Sequence, residues 1–582
     1  MFQLNPTNKR YLSQVLSIIL LFLISSCNTN NKSNELKYSF KLSKQQNSIE
    51  VLMTYRAKKQ EDTTTLLIPT NYDRIKIKET ALIEDVKLKS KGKLISTGFD
   101  TYQYIGKEDL IQISYTIPSF SDNTEQLSCE GDDYFIPAIN NKFFHMYGDK
   151  SLIFPQYDAS ENQSFDIEIA WEGFPDEWHI ANDFGISQVL EGKRQKQSRY
   201  NLSEGDLGSS LFFGGLYRKK IFTEQGINFY TYFYGKFNLD EERFFTQIQK
   251  VAKAELKLWK HFHHNKEYVI SINRKGNDCG RMGGRNMYDS FTFYMPGDFT
   301  DKYFPLIFAN AFTHEFTHSW IGVDLVARNP NWEEMRWFTE GFTNYYAQRI
   351  NYEVGITTER QFLSLLNTYI INYYRSPYKN STNKEYVDGF KFDNKMENLV
   401  YDKGAVFAFA LDGYIRNSSN NKYTIDDLMD ALLTKASKEE INGNLTIEHM
   451  NKIANQSIGI DISNLIKEQI INGKTINISS PLIDSLEIKS LSSFNYGFDY
   501  ITSMKNEIIT GVKEGSNAFK AGLKNGSKLT GIKGITNSPS GRMILEVETD
   551  NKKSIIEFNP EGVKIEVPLI RKLKPMNPKE NE

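Results

Sequence analysis

The chain has 582 residues, 40% of them hydrophobic and 13% aromatic, which is enough for several cores and excludes global disorder. A formal net charge of −2 gives no bulk electrostatic ground for nucleic acid or an anionic membrane surface as partner. Histidine is scarce, with eight in all, so any pair at a chemically meaningful spacing stands out.

At the N-terminus, Lys9 and Arg10 precede the apolar run Val15 to Ile24, which has the length of a signal-peptide core and is short for a bilayer span. It ends in Ser25, Ser26 and Cys27. This resembles the lipobox of bacterial lipoproteins, in which the cysteine becomes the lipidated first residue. A plain secretory signal with a chance cysteine is the alternative. The resemblance implies a signal over residues 1–27, a polar tether from Asn28, and a lipid anchor outside the cytoplasm in the bacterial cell envelope, with a membrane as partner through that lipid. The remaining cysteines, Cys129 and Cys279, fit two buried thiols as well as a disulfide.

Residues 28–238 read as β-rich. Tyr38, Phe40 and Leu42 alternate with Lys37, Ser39 and Lys41; Ile75 and Ile77 alternate with Lys76 and Lys78; Phe165, Ile167, Ile169 and Trp171 repeat the pattern. Such alternation predicts half-buried strands. The period changes after Asp240, where Phe244, Ile248, Val251, Ala252 and Trp259 follow helical spacing behind an acidic first turn. A mainly helical region follows to residue 478, and residues 479–575 turn β-rich again.

The helical region contains "HEFTHSW", residues 314–320. On a helix His314 and His318 lie one turn apart on one face, so both imidazoles reach one ion. Glu315 is turned about 100° from His314 and suits a general base better than a ligand. HExxH on a helix is a zinc-peptidase arrangement, with coincidence as the alternative. Catalytic zinc usually takes three protein ligands and keeps one position open. Downstream, Glu333 and Glu334 stand beside Pro330 and Asn331 and read as a solvated helix start. Glu340 instead lies among Trp337, Phe338, Phe342 and Tyr345, where a carboxylate needs a partner. Asn344, one turn on, reads either as support for a ligand or as an ordinary surface asparagine.

HExxH followed by "WFTEGFTNYY" resembles the gluzincin metallopeptidases, and "EGFTNYY" with "YDKGAVFAFALDGYIR" resembles their glycyl-aminopeptidase family. Glu340 follows His318 by 340 − 318 = 22 residues, a few more than in thermolysin-like members. The resemblance implies a multidomain α+β chain, with a β-rich domain over 28–238, a thermolysin-like catalytic domain over 239–478 and a PDZ domain over 479–575. It implies one Zn2+ per chain on His314, His318 and Glu340, with Glu315 as base and peptide or protein substrates. Tyr401 opens the second phrase and matches a tyrosine whose neutral hydroxyl steadies the developing oxyanion.

The resemblance also reaches "GRMGGRNMYDSF", read as an edge strand for substrate. Gly283 and Gly284 match its glycines and let a peptide backbone approach closely. Asn286 stands where the family's aminopeptidases place a glutamate for the substrate's α-amino group, and an amide offers no charge to an ammonium. Asp289 is a candidate replacement; an enzyme indifferent to a free N-terminus is the other reading. The functional alternatives are a zinc endopeptidase, hydrolysis of a non-peptide electrophile, and an idle protein that holds peptides. His261, His263 and His264 read as a helix-end surface rather than a second metal site.

Residues 511–534, "GVKEGSNAFKAGLKNGSKLTGIKG", resemble a PDZ stretch, with Ser527 where an aspartate is usual. Asn495 to Tyr500 is the candidate loop and strand for capturing a peptide C-terminus by strand addition. A module that only packs on the catalytic domain is the alternative.

Overall fold

The computed structural model describes residues 34–56, 62–73, 78–98, 100–120, 136–156, 165–183, 194–200, 208, 210–260, 266–275, 282–287, 289–297, 308–437 and 440–575. Cys27, Cys129, Cys279, His261, His263, His264, Ile75 and Ile77 lie outside the described residues. The chain is α+β and forms two compact units. The first comprises Met1–Pro118, Asp149–Pro175 and Ser187–Leu207; the second comprises Ser119–Gly148, Asp176–Ile186 and Gly208–Glu582. Among the described residues no helix is long and apolar enough to cross a membrane.

In the first unit, Asn34–Leu42 is central to a six-stranded sheet, parallel to Phe165–Glu172 and antiparallel to Ser48–Arg56. The alternation seen in the sequence is the burial pattern: Leu36, Tyr38, Phe40 and Leu42 are buried, as are Phe165, Ile167, Ile169 and Trp171. Phe40 and Trp171 stack at 4.7 Å between ring centres, because the parallel register sets them side by side.

The second unit holds the HExxH helix. Its five-stranded sheet consists of β1 (Arg218–Glu224), β2 (Ile227–Tyr234), β3 (Glu267–Lys275), β4 (Gly283–Asn286) and β5 (Ser290–Pro296), in the order β1-β2-β3-β5-β4. Among the described residues β4 is therefore an edge strand, paired antiparallel with β5 alone. Helix α1 (Glu241–Trp259) starts where Asp240 accepts from the Glu242 and Arg243 amides, and it buries Phe244, Ile248, Val251, Ala252 and Trp259.

The HExxH segment is α2 (Thr313–His318), flanked by π-helical segments Phe308–Phe312 and Ser319–Asp324. A 3-10 turn, Trp332–Met335, leads into α3 (Arg336–Glu353). Then come α4 (Glu359–Arg375), α5 (Asn383–Gly389), α6 (Asn394–Ser418), α7 (Ile425–Ser437) and α8 (Ile447–Ile458). Thr358 with Gln361 and Thr382 with Glu385 form capping boxes, which fix the starts of α4 and α5. α3 and α6 cross at two glycines: a Cβ on Gly341 would lie 2.2 Å from Gly404 Cα, and a Cβ on Gly404 would lie 2.0 Å from the Trp337 carbonyl oxygen. Only glycine permits that approach.

The C-terminal region pairs β6 (Ile483–Phe494) with β10 (Glu561–Leu573), beside an antiparallel sheet of β7 (Lys528–Gly534), β8 (Met543–Thr549) and β9 (Lys552–Phe558). Asn495 to Tyr500 is not the expected strand. Asp499 accepts from the Thr502 amide and caps a helix, α9 (Tyr500–Asn506), while Tyr496, Phe498 and Tyr500 turn into a core with Leu529, Leu545 and Phe558. Their alternation reflects burial around a turn. The region docks on the helices through Asp393, which accepts from Tyr378 (2.6 Å) and Tyr496 (2.7 Å) while capping α6 through the Lys395 amide.

Candidate metal centre

α2 is held between two neighbours. Thr317 shares a hydrogen bond with Glu255 of α1 (3.2 Å), whose carboxyl burial pushes well above the ordinary range. From α3, Asn351 donates to Thr313 Oγ1 (2.6 Å). These bonds fix the rotation of α2, and with it the direction of His314 and His318.

The two histidines and Glu340 meet. His314 Nε2 lies 3.0 Å from His318 Nε2, and Glu340 Oε2 lies 3.5 Å from the first and 3.4 Å from the second. A tetrahedral ion with ligands at about 2.0–2.1 Å has donor–donor edges of about 3.3–3.4 Å. The three measured edges bracket that value, and the equidistant point in the plane of the donors lies about 1.9 Å from each. Two neutral-capable imidazoles and a carboxylate are the donor set of a catalytic zinc-type site, so the residues fit the metal. Burial pushes the Glu340 carboxyl up, but the imidazoles of His318 and His314 outweigh it and hold the group well below the usual range. Among the described residues this is the one cluster of three such donors close enough to share an ion.

Glu315 does not join the triangle. Its carboxylate accepts from the Asn286 amide of β4, and burial above all raises it to about 7, with Glu340 adding to the rise and His314 and Arg285 opposing it. Gly284 explains how the strand comes so near: a Cβ there would lie 2.6 Å from Glu315 Cγ. Gly283 is half-buried on the same edge strand.

Tyr401, from α6, places its ring 6.1 Å from that of His314. Burial, then Glu340, push its phenol well above the ordinary value, so it stays protonated. The spacing of the sequence gives no hint of Arg336. This buried first residue of α3 lies 5.1 Å from the Phe390 ring centre and 5.9 Å from that of Tyr386, and its charge bears on both Tyr401 and Glu340.

Other candidates stand differently. Glu334 is exposed and Glu333 half-buried in the turn before α3, as a solvated helix start requires. Asn344 is buried rather than on the surface, and Thr343 Oγ1 is the group near His318 Nδ1, at 3.5 Å. Asn286 Oδ1 accepts from the Tyr268 hydroxyl at 3.2 Å. Asp289 is 1% exposed and lies beside Asp183, whose own carboxyl burial raises to about 8. So enclosed, Asp289 has no surface to offer an incoming amine.

Residues 307–407 match the model of a family described as M61 glycyl aminopeptidase. No curated protein matches the chain. Among solved structures it is similar to an aminopeptidase N family protein from Idiomarina loihiensis, at 15% identity and a TM-score of 0.65, over 92% of this chain and 98% of that one. It is also similar to an M1 zinc metallopeptidase from Deinococcus radiodurans, at 10% identity and a TM-score of 0.50, over 77% of this chain and 96% of that one. At these identities the likeness is one of fold. The segment that carries the three donors, Glu315 and Tyr401 thus matches the model of the glycyl aminopeptidase family, and the multidomain α+β fold around it is similar to that of the aminopeptidase N family protein.

Proposed function

We propose that this chain is a zinc metallopeptidase that hydrolyses peptide or protein substrates, with residues 239–478 as its catalytic domain. We further propose, on the sequence of residues 1–27, that it is exported and held by a lipid at Cys27 to a membrane of the cell envelope. The observation that carries the reading is the triangle of His314 Nε2, His318 Nε2 and Glu340 Oε2, with edges of 3.0 to 3.5 Å. Zinc in that triangle supplies the Lewis acidity that amide hydrolysis needs.

The chain supplies the rest. Glu315 takes a proton from the attacking water and returns it to the leaving amine. The protonated phenol of Tyr401 donates to the developing oxyanion. The open edge of β4 pairs with an extended substrate backbone, and Gly283 and Gly284 let it approach. An idle peptide-binding protein would need no base beside such a triangle. Glu315→Gln should abolish turnover of a mixed peptide library while near-stoichiometric zinc is retained; undiminished turnover would remove Glu315 as base.

The family match of residues 307–407 supports an aminopeptidase. One observation favours an endopeptidase instead: Asn286 brings no negative charge and is tied to Tyr268, and the positive charge of Arg285 bears on Glu315 nearby. An ammonium gains little there. Cleavage of one peptide with a free and with an acetylated N-terminus separates the two, and faster cleavage of the acetylated form ends the aminopeptidase reading. For residues 479–575 we propose a PDZ-like module whose main role is packing on the helices, supported by the bonds of Tyr378 and Tyr496 to Asp393.

A further inference from the structure

Beside the metal centre, and sharing Tyr401 with it, the second unit holds a cavity of about 370 Å³. Its charge is lopsided: Arg375 and Lys395 line it against a single acid, Asp402. Among the described residues neither cation is ion-paired. Arg375 donates its Nε to the Ser492 carbonyl at 2.8 Å, which leaves both terminal guanidinium nitrogens without a hydrogen bond among those residues. Lys395 Nζ lies 3.3 Å from Asn537 Oδ1 and 4.1 Å from the centre of the Phe494 ring.

The acid opposes them weakly. Asp402 accepts from Asn372 at 3.2 Å, and burial raises its carboxyl to about 7, so near neutral pH it is only partly charged. Burial lowers Lys395, the Asp393 charge outside the cavity opposes that, and Arg375 lowers it in turn, so the two cations are near enough to repel. Two cations held in one half-enclosed space carry a repulsion and a desolvation cost that an incoming anion relieves. A guanidinium with a free edge suits a carboxylate in particular, because it can donate two parallel hydrogen bonds.

We propose that this cavity is a carboxylate-binding subsite, in which Arg375 and Lys395 hold an acidic side chain or the free C-terminus of the peptide whose scissile bond lies at Tyr401. The inference rests on the peptidase reading, and its test is kept separate from that reading by measuring binding rather than turnover.

The zinc-loaded full chain carrying Glu315→Gln is titrated calorimetrically with peptides of one neutral sequence. These are the free acid, its C-terminal amide, and amides with one glutamate placed at each position in turn. A charge-assisted pair should make one anionic form bind roughly ten-fold or more tightly than the neutral amide. Preference for the free acid identifies a C-terminus as occupant; preference for a glutamate amide identifies a side chain. Lys395→Gln and Arg375→Gln should each cut that preference to about three-fold or less. Lys395 bonds only a side chain, so its variant carries the test if loss of the Ser492 anchor unfolds the other. Affinities that do not differ between anionic and neutral peptides, or a preference that survives both substitutions, overturn the proposal. The peptidase reading fails by a different result: no turnover of any of these peptides by the unsubstituted chain.

Discussion

Alanine at position 284 tests how the edge strand positions the base. Its Cβ would stand 2.6 Å from Glu315 Cγ, 2.8 Å from Oε1 and 2.9 Å from Cδ. Carbon atoms in contact rest at about 3.5–4.0 Å, so strand and carboxylate must part by about 1 Å. Among the described residues β4 is paired on one side only, and two residues further on the Asn286 amide bonds the same carboxylate, so the displacement falls on that bond. A misplacement of about 1 Å costs on the order of 10²-fold in rate, or about 2.7 kcal/mol of barrier. The metal donors are not touched, and the strand itself gains up to about 0.5–1 kcal/mol from losing a glycine. Gly284→Ala should therefore lower kcat about 100-fold, with full zinc content and a Tm within a few degrees of the parent. Zinc by elemental analysis, Tm by circular dichroism and kcat on a peptide substrate decide it. An unchanged kcat would refute the idea that β4 sets the base; a lost fold or lost zinc would show that the glycine serves packing instead.

Two further outcomes follow from the same geometry. Tyr401→Phe removes a protonated donor without changing the core, and should cost about 10²–10³ in kcat with KM changed little; an unaltered kcat in steady-state assays would remove it from the reacting centre. Gly404→Ala forces a Cβ to 2.0 Å from the Trp337 carbonyl and 2.7 Å from Gly341 Cα, where backbone cannot yield. The crossing of α3 and α6 must open, at about 1–3 kcal/mol or more, and a chemical-denaturation midpoint equal to the parent's would contradict the close approach.

Much of the centre was legible from local spacing. The four-residue step from His314 to His318 and the aromatic neighbours of Glu340 each required a partner, and the three side chains meet. The strands of the first unit were legible for a similar reason, since one buried face imposes period two on Leu36 to Leu42. Other features depend on partners distant in sequence. That Gly341 and Gly404 touch cannot be read from either glycine alone. Asn495 to Tyr500 alternates like a strand, yet Asp499 caps a helix and the alternating aromatics fill a core around a turn. Asn344 sat at the expected helical step after Glu340, but Thr343 is the group beside His318. The π-helical segments on both sides of α2 depart from the 3.6-residue period, so projecting a regular helix across that run misplaces its neighbours. The division into two units was hidden too, because Asn34–Leu42 pairs with Phe165–Glu172, more than a hundred residues later.

The most direct test of the account is a crystal structure of the zinc-loaded protein with anomalous data collected on both sides of the zinc edge. A single zinc peak is expected at about 2.0–2.2 Å from His314 Nε2, His318 Nε2 and Glu340 Oε2 together. Zinc held by other side chains, or no anomalous peak among these three in crystals grown with zinc, would contradict it.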